Sequence, residues 1–299
     1  MWTNKRNVVL FALLCCALWG SAAPFIKTGY RLFAIVADDT ASILLFAGLR
    51  FFLSGLMVLL MGSIVYRDQM KLPSSAVPAV LCLALFQTFL QYLFYYIGVA
   101  HTSGVNSSII SGMASFFSLI LACLIFRTEQ LTGRKVLGCL LGFFGIFWMN
   151  RQGVQGHFFG DAMVLIAQVS SALSANFIKV FTRRFHPVML SGWQFAAGGA
   201  ALSLIGWMMG GHLSVCLPGV LVLLYLGFLS AVAYSIWGIL LSKNPVSQVS
   251  VFACSIPIFG VFISAFVLRE YSAAFAWDTW TALFFVTLGI YTVTKAREA

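Results

Sequence analysis

From residue 72 to residue 126 the chain carries no Asp, Glu, Lys or Arg, 55 residues in all. Residues 185–242 form a second interval of the same kind. Each is too long for one membrane-spanning helix of about 20 residues and suits two joined by a turn. Composition carries the same message, with 61% of the 299 residues hydrophobic and 9% charged, against about 25% charged in an ordinary soluble domain. Eighteen Lys and Arg with eight Asp and Glu cannot cover a soluble surface around that much hydrocarbon. Disordered chains are poor in these same apolar residues. The chain is therefore expected to be an all-α integral membrane protein solvated by lipid.

Charged residues punctuate the remaining spans. They place helices at about 8–26, 41–64, 76–99, 103–126, 136–149, 162–178, 188–209, 217–241, 246–268 and 279–294. His101-Thr102-Ser103-Gly104 and Gly210-Gly211-His212 are the turns that split the two long intervals. Pro78 and Pro218 fall at helix starts, where proline is tolerated. Ser21-Ala22-Ala23 resembles a signal-peptidase site, but the apolar run from Val8 to Ile26 is long and Pro24 would follow the cut, so the first helix is expected to stay. The seven cysteines lie almost all in apolar runs without a C-x-x-C spacing, which indicates neither a disulfide framework nor a metal site. No cofactor is implied.

Ten crossings with a cytoplasmic N-terminus put Lys5, Arg6, Arg67, Lys71, Arg127, Arg134, Lys135, Lys179, Arg183, Arg184, Lys243, Lys295 and Arg297 on the inner side. Only Arg31, Arg151 and Arg269 fall outside, with Lys27 at the outer boundary and Arg50 within the membrane. This is the positive-inside distribution, and it places both termini in the cytoplasm. The net charge of +10 follows from it, pointing to an anionic inner leaflet as neighbour rather than to nucleic acid.

The halves echo each other. Gly48-Leu49-Arg50-Phe51-Phe52-Leu53-Ser54-Gly55 resembles Gly192-Trp193-Gln194-Phe195-Ala196-Ala197-Gly198-Gly199, Phe25-Ile26-Lys27 resembles Phe177-Ile178-Lys179, and Arg127-Thr128-Glu129 resembles Arg269-Glu270. Five crossings per half, an odd number, make the two halves oppositely oriented. That is the inverted-repeat plan of secondary transporters.

Leu18-Trp19-Gly20-Ser21, the block around Arg50, the Gly-rich Leu137-Gly138-Cys139-Leu140-Leu141-Gly142, and Leu268-Arg269-Glu270 after a proline-bearing ninth helix resemble the EamA type of the drug/metabolite transporter superfamily over the whole chain. The resemblance implies two five-helix repeats, 1–150 and 151–299, and a permease of the cytoplasmic membrane, an exporter by preference. It is shared across many transported chemicals and so does not name a substrate. Ser115 stands where the family pattern has a proline in the fourth helix, which removes the sequence signal for a kink there.

Polar side chains in lipid are costly unless they face a cavity or a partner. Arg50 lies about ten residues into its helix, roughly 15 Å along it, and no Asp or Glu sits at that depth in any helix. It reads either as a counter-ion for a substrate carboxylate or phosphate, or as a structural residue bonded to carbonyls between helices. Gln87, Gln91 and Tyr95 share one helix face, and Ser230, Tyr234 and Trp237 repeat the idea in the eighth helix. Ser103, Ser107, Ser111 and Ser115 form a stripe beside Asn106, while Gln168, Ser171, Ser174, Asn176 and Gln248 add further polar groups. Small residues and interhelical hydrogen bonds also glue membrane helices together, so packing is the competing reading. The substrate-binding candidates are Trp19, Arg50, Gln87, Gln91, Tyr95, Asn106, Ser111, Gln168, Ser171, Tyr234, Trp237 and Gln248. Asp161, Asp278, Glu129 and Glu270 sit at helix ends and read as structural.

The expected partner is a small molecule, within a lipid bilayer. Gly138-x-x-x-Gly142 and Gly206-x-x-x-Gly210 suit close packing inside the chain or in a homodimer. A polytopic membrane enzyme would need clustered acids, histidines or a nucleophile, which the sequence lacks. The absence of deep carboxylates argues for a zwitterionic, anionic or neutral metabolite, an amino acid or relative first, with efflux of drugs as the alternative.

Overall fold

The computed structural model describes residues 2–127, 132–150, 158–244, 249, 252 and 255–294. All regular structure among them is helical. We label the rods α1 (Lys5–Leu32), α2 (Thr40–Tyr66), α3 (Ser74–His101), α4 (Gly104–Leu124), α5 (Gly133–Asn150), α6 (Phe158–Phe181), α7 (Pro187–Met208), α8 (Leu217–Lys243), α9 (Ser255–Leu268) and α10 (Trp277–Thr294). Seven helices, α1 to α4 and α6 to α8, are long and apolar enough to cross a membrane. The chain is a multi-pass membrane protein.

α1, α2, α3, α5 and α6 run past both ends of the spans expected for them, whereas α4 stops short at both ends. α1 continues through Pro24 to Leu32, with Thr28 Oγ1 donating to the Pro24 carbonyl at 2.9 Å. Asp161 and Asp278 lie within the first turns of α6 and α10 rather than ahead of them, where a carboxylate suits the helix dipole.

Two rods are irregular. α3 contains a π-helical stretch, Ala84–Leu90, a wide turn that commonly marks functional sites. α4 breaks after Ser111: Gly112 and Met113 form a turn, and the helix resumes at Ala114. The break needs no proline at 115. Ser111 Oγ donates to the Ser107 carbonyl at 2.6 Å, a back-bond that bends helices, and a Cβ on Gly112 would sit 3.2 Å from Pro257 Cγ in α9.

Lipid tails are as apolar as leucine, so packing density rather than the hydrophobic effect joins these helices. α2 and α7 cross backbone to backbone. A Cβ on Gly48 would lie 2.2 Å from Ser203 N, and one on Gly199 2.2 Å from Phe52 N. The two echoing segments of the sequence thus meet face to face. α1 packs along α8 and α9, and α6 along α3 and α4, while α5 and α10 pack on each other. Gly138 and Gly142 pack within the chain against Gly289, and Gly206 packs against Leu45, whereas a Cβ on Gly210 would meet nothing within 4 Å among the described residues. The buried centre includes Ile26, Phe46, Phe51, Tyr96 and Phe195.

Candidate functional site

A cavity of about 370 Å³ lies at the centre, within the size range of small-molecule sites. Its described lining comes from α1 to α4 and α6 to α9, with nothing from α5 or α10. It extends past Ile178 to Thr182 and Pro187, at the α6–α7 connection.

Arg50 forms part of the wall and is 2% exposed. Its Nε donates to the Leu226 carbonyl at 3.1 Å, Nη1 to the Tyr96 hydroxyl at 2.7 Å and Nη2 to Ser230 Oγ at 2.9 Å. These bonds tie α2 to α3 and α8. Its Cζ lies 4.7 Å from the Phe51 ring centroid and within 6 Å of the Tyr92 and Tyr96 rings, at 5.9 and 5.8 Å. The two readings of Arg50 therefore meet in one residue, which is bonded between helices and also borders the cavity. A guanidinium has five N–H donors, so two remain, one on each terminal nitrogen. No carboxylate pairs with it among the described residues.

Trp19, Gln87, Gln91, Tyr95, Ser111, Gln168, Ser171, Tyr234 and Trp237 line the same space. Trp19 packs edge-on to Tyr234 and Trp237, with ring centroids at 5.4 and 5.1 Å. The Tyr234 and Tyr92 hydroxyls share a hydrogen bond at 3.2 Å. Gln168 Nε2 donates back to the Val164 carbonyl at 3.2 Å.

Asn106 does not line the cavity. It lies in the first turn of α4, and its Nδ2 donates to Asp161 Oδ2 at 3.2 Å. Asn106 precedes the cavity-lining Ser111 by five residues, about 7.5 Å along α4, and so falls short of the cavity. Gln248 lies outside the described residues.

Asn106 belongs to a polar closure at the other end of the bundle, about 30 Å along α6 from Thr182 at 1.5 Å per residue. Thr102 Oγ1 donates to Asp161, while Lys27 Nζ donates to the Thr102 carbonyl and to the Val99 carbonyl at 3.3 Å. Glu270 accepts from the backbone N–H groups of Gly104 and Val105 at 3.2 and 3.1 Å, at the start of α4. A Cβ on Gly160 would fall 2.5 Å from the His101 carbonyl carbon, so α6 abuts the α3–α4 turn directly. The cavity reaches one end of the bundle, and ionic hydrogen bonds seal the other.

The profile of the EamA-like transporter family matches residues 6–151 and again residues 158–295. The chain belongs to that family. It carries two EamA repeats and is a transporter rather than an enzyme. An uncharacterized transporter of Archaeoglobus fulgidus is 26% identical over 98% of this chain and 100% of its own length. A protein of Escherichia coli named "Probable amino-acid metabolite efflux pump" is 25% identical over 89% of this chain and 88% of its own. A solved structure titled "Crystal structure of protein" superposes on 97% of this chain and 98% of its own with a TM-score of 0.67 at 15% identity. That likeness shows a shared fold.

In this EamA transporter several wall residues escaped sequence reasoning. Tyr92, Ser191 and Thr182 line the cavity, and Tyr96 holds Arg50. Tyr92 and Tyr96 follow Gln91 and Tyr95 by one residue each, so the neighbouring stripe of the same helix was the available signal. Ser191 and Thr182 flank an ordinary connection and carried none.

Proposed function

We propose that this protein is a secondary transporter of the cytoplasmic membrane, moving a small metabolite of amino-acid type outward by alternating access. Its ten crossings form two oppositely oriented halves, 1–150 and 151–299, with both termini in the cytoplasm. The substrate sits in the central cavity among Trp19, Arg50, Gln87, Gln91, Tyr95, Ser111, Gln168, Ser171, Tyr234 and Trp237. The observation that carries this reading is Arg50. It is a permanent cation on the wall of a polar and aromatic cavity, without a carboxylate partner among the described residues. A bare cation meets repulsion there, whereas a carboxylate finds a charge and free donors.

Positive-inside topology puts the α6–α7 connection in the cytoplasm. The cavity mouth at Thr182 and Pro187 then faces inward, and the Lys27, Asp161 and Glu270 closure faces outward. Loading from the cytoplasm behind a closed outer end is the arrangement an exporter needs before it switches. The packing of α1 on α8 and α9 and of α6 on α3 and α4 supports exchange of equivalent contacts between the halves. The name of the Escherichia coli relative agrees with the substrate class.

The test is transport by purified protein in liposomes. Amino acids and quaternary ammonium dyes are offered separately, with and without a proton gradient. Amino-acid flux that is lost in Arg50→Ala supports the reading. Proton-driven dye flux with no amino-acid flux overturns it in favour of drug efflux.

A further inference from the structure

Where α2 crosses α7, close packing explains the glycines. A Cβ on Gly48, Gly55, Gly199 or Gly206 would fall 2.2–2.4 Å from a backbone nitrogen of the facing helix. Gly238, inside α8, has no such reason. Among the described residues, the one atom within 4 Å of a Cβ built there is Pro187 Cβ, at 3.9 Å, an ordinary contact. Its backbone is helical, so no turn or left-handed conformation calls for it either. Glycine within a helix is disfavoured relative to alanine. At Gly238 that disadvantage brings no closer helix contact in return.

What the missing side chain leaves is room in the cavity. Ser230, Tyr234 and Gly238 recur every four residues on one stripe of α8, and all three line the cavity, as does Pro187 opposite. A side chain at 238 would therefore project into the cavity. The first repeat shows the contrast. Tyr92 and Tyr234 meet hydroxyl to hydroxyl, and four residues beyond each stand Tyr96 and Gly238. Tyr96 is fully buried and fills the space beside Arg50, whereas the space beside Gly238 stays open. Ser230 marks the Arg50 end of the stripe, and Gly238 lies about 12 Å further along α8, toward the mouth. The walls around it are apolar: Pro187, Leu190 three residues on, and the neighbouring Trp237.

We propose that Gly238 determines specificity by size: the space it leaves open takes a bulky apolar side chain of the substrate, whose carboxylate is held at Arg50. This rests on the reading of the cavity as the substrate site, and it assigns the cargo to the large amino acids rather than the small ones. The methyl of alanine is two bonds, at most about 3 Å, from its carboxylate carbon, and stays at the Arg50 end. The indole of tryptophan extends several bonds further and buries its faces against the apolar wall. A side chain at 238 would occupy that volume and leave the Arg50 end untouched.

The experiment measures binding of tryptophan, phenylalanine and alanine to the purified full-length protein by calorimetry, for wild type, Gly238→Ala and Gly238→Leu. Wild type is expected to bind the two aromatic amino acids at least tenfold more tightly than alanine. One added methyl in an apolar pocket is felt about tenfold, so Gly238→Ala should lose about that factor for tryptophan. Gly238→Leu should lose more, with alanine within twofold of wild type in both variants. The ligand-free melting temperature of Gly238→Ala is expected to match or exceed that of wild type, in keeping with helix propensity, which keeps the test open if the leucine variant fails to fold. A wild type that prefers alanine overturns the proposal. So does a Gly238→Ala protein with unchanged tryptophan affinity, or one whose affinity falls equally for all three, since the glycine would then serve the helix and not the cargo. If wild type binds none of the three, the reading of the cavity itself fails, and the assignment of Gly238 falls with it.

Discussion

Arg50 Nη1 donates to the hydroxyl of Tyr96 across 2.7 Å, in a setting where Tyr96 is fully buried and itself accepts at its carbonyl from the Tyr30 hydroxyl at 2.7 Å. The chain of contacts runs from α1 through α3 to α2. It holds the guanidinium in one orientation, which is what a charge must have if it is to recognise a planar carboxylate.

Arg50→Ala is expected to reduce amino-acid transport to background with the protein still present in the membrane. Tyr96→Phe removes only the hydroxyl and leaves one Arg50 N–H unpaired, at a cost of about 1–3 kcal/mol. It should lower the melting temperature in detergent while keeping some transport. Quantitative blotting of membrane fractions beside each flux measurement separates the two effects. Transport that falls only in proportion to protein level in Arg50→Ala contradicts a direct role.

Glu270 accepts two backbone N–H groups at the start of α4. Hydrogen bonds to a charged acceptor are roughly twice as strong as neutral ones. Glu270→Gln should therefore loosen the outer closure and shift the protein toward the outward-facing state. A cysteine placed at Ser191, on the cavity wall, would then react several-fold more slowly with an impermeant maleimide applied from the cytoplasmic side. An unchanged rate would show that this end does not control the switch.

Topology is tested at the C-terminus. A reporter fused after Ala299 is expected to read as cytoplasmic, in keeping with the distribution of basic residues. A periplasmic signal would invalidate the crossing count and the opposed orientation of the halves together.

Asp39 caps α2, accepting from the Ser42 backbone N–H at 3.0 Å, and that bond holds its carboxyl below the ordinary value. The folded protein thus favours the ionised form. The resulting stability is present above the unfolded carboxyl value of about 3.9 and is lost as the pH falls through the lower folded value. Asp39→Ala should cost about 1 kcal/mol at pH 7, read as a lower melting temperature. The difference should shrink below about pH 4.

Helix positions were legible because charge spacing in a membrane chain directly reports depth. The cavity side of α3 was legible too, since Gln87, Gln91 and Tyr95 are costly in lipid and had to face something else. The break in α4 was not. It falls where the Ser111 hydroxyl bonds back to the Ser107 carbonyl and where a Cβ on Gly112 would crowd Pro257 of α9, a residue 145 positions away in the chain. Asn106 misled for a related reason. An amide in an apolar interval signals a polar partner, but Asp161 lay across a helix pair the sequence could not place. The α2–α7 crossing was visible as an echo of glycines, yet only the backbone contact at Gly48 and Gly199 explains why those positions lack side chains.

Arginine does not titrate at any pH a cell experiences, so Arg50 gives the cavity wall a charge that cannot be switched off. A bound monocarboxylate cancels that charge, whereas a bound zwitterion leaves it in place. A membrane potential of 100 mV acts on a unit charge with about 2.3 kcal/mol over the full thickness. Voltage therefore bears on the unloaded carrier and on one loaded with an anion to different degrees, scaled by the fraction of the field that Arg50 crosses during the switch. With an amino acid aboard the two are electrically alike. The electrical signature of turnover is thus set by the net charge of the cargo.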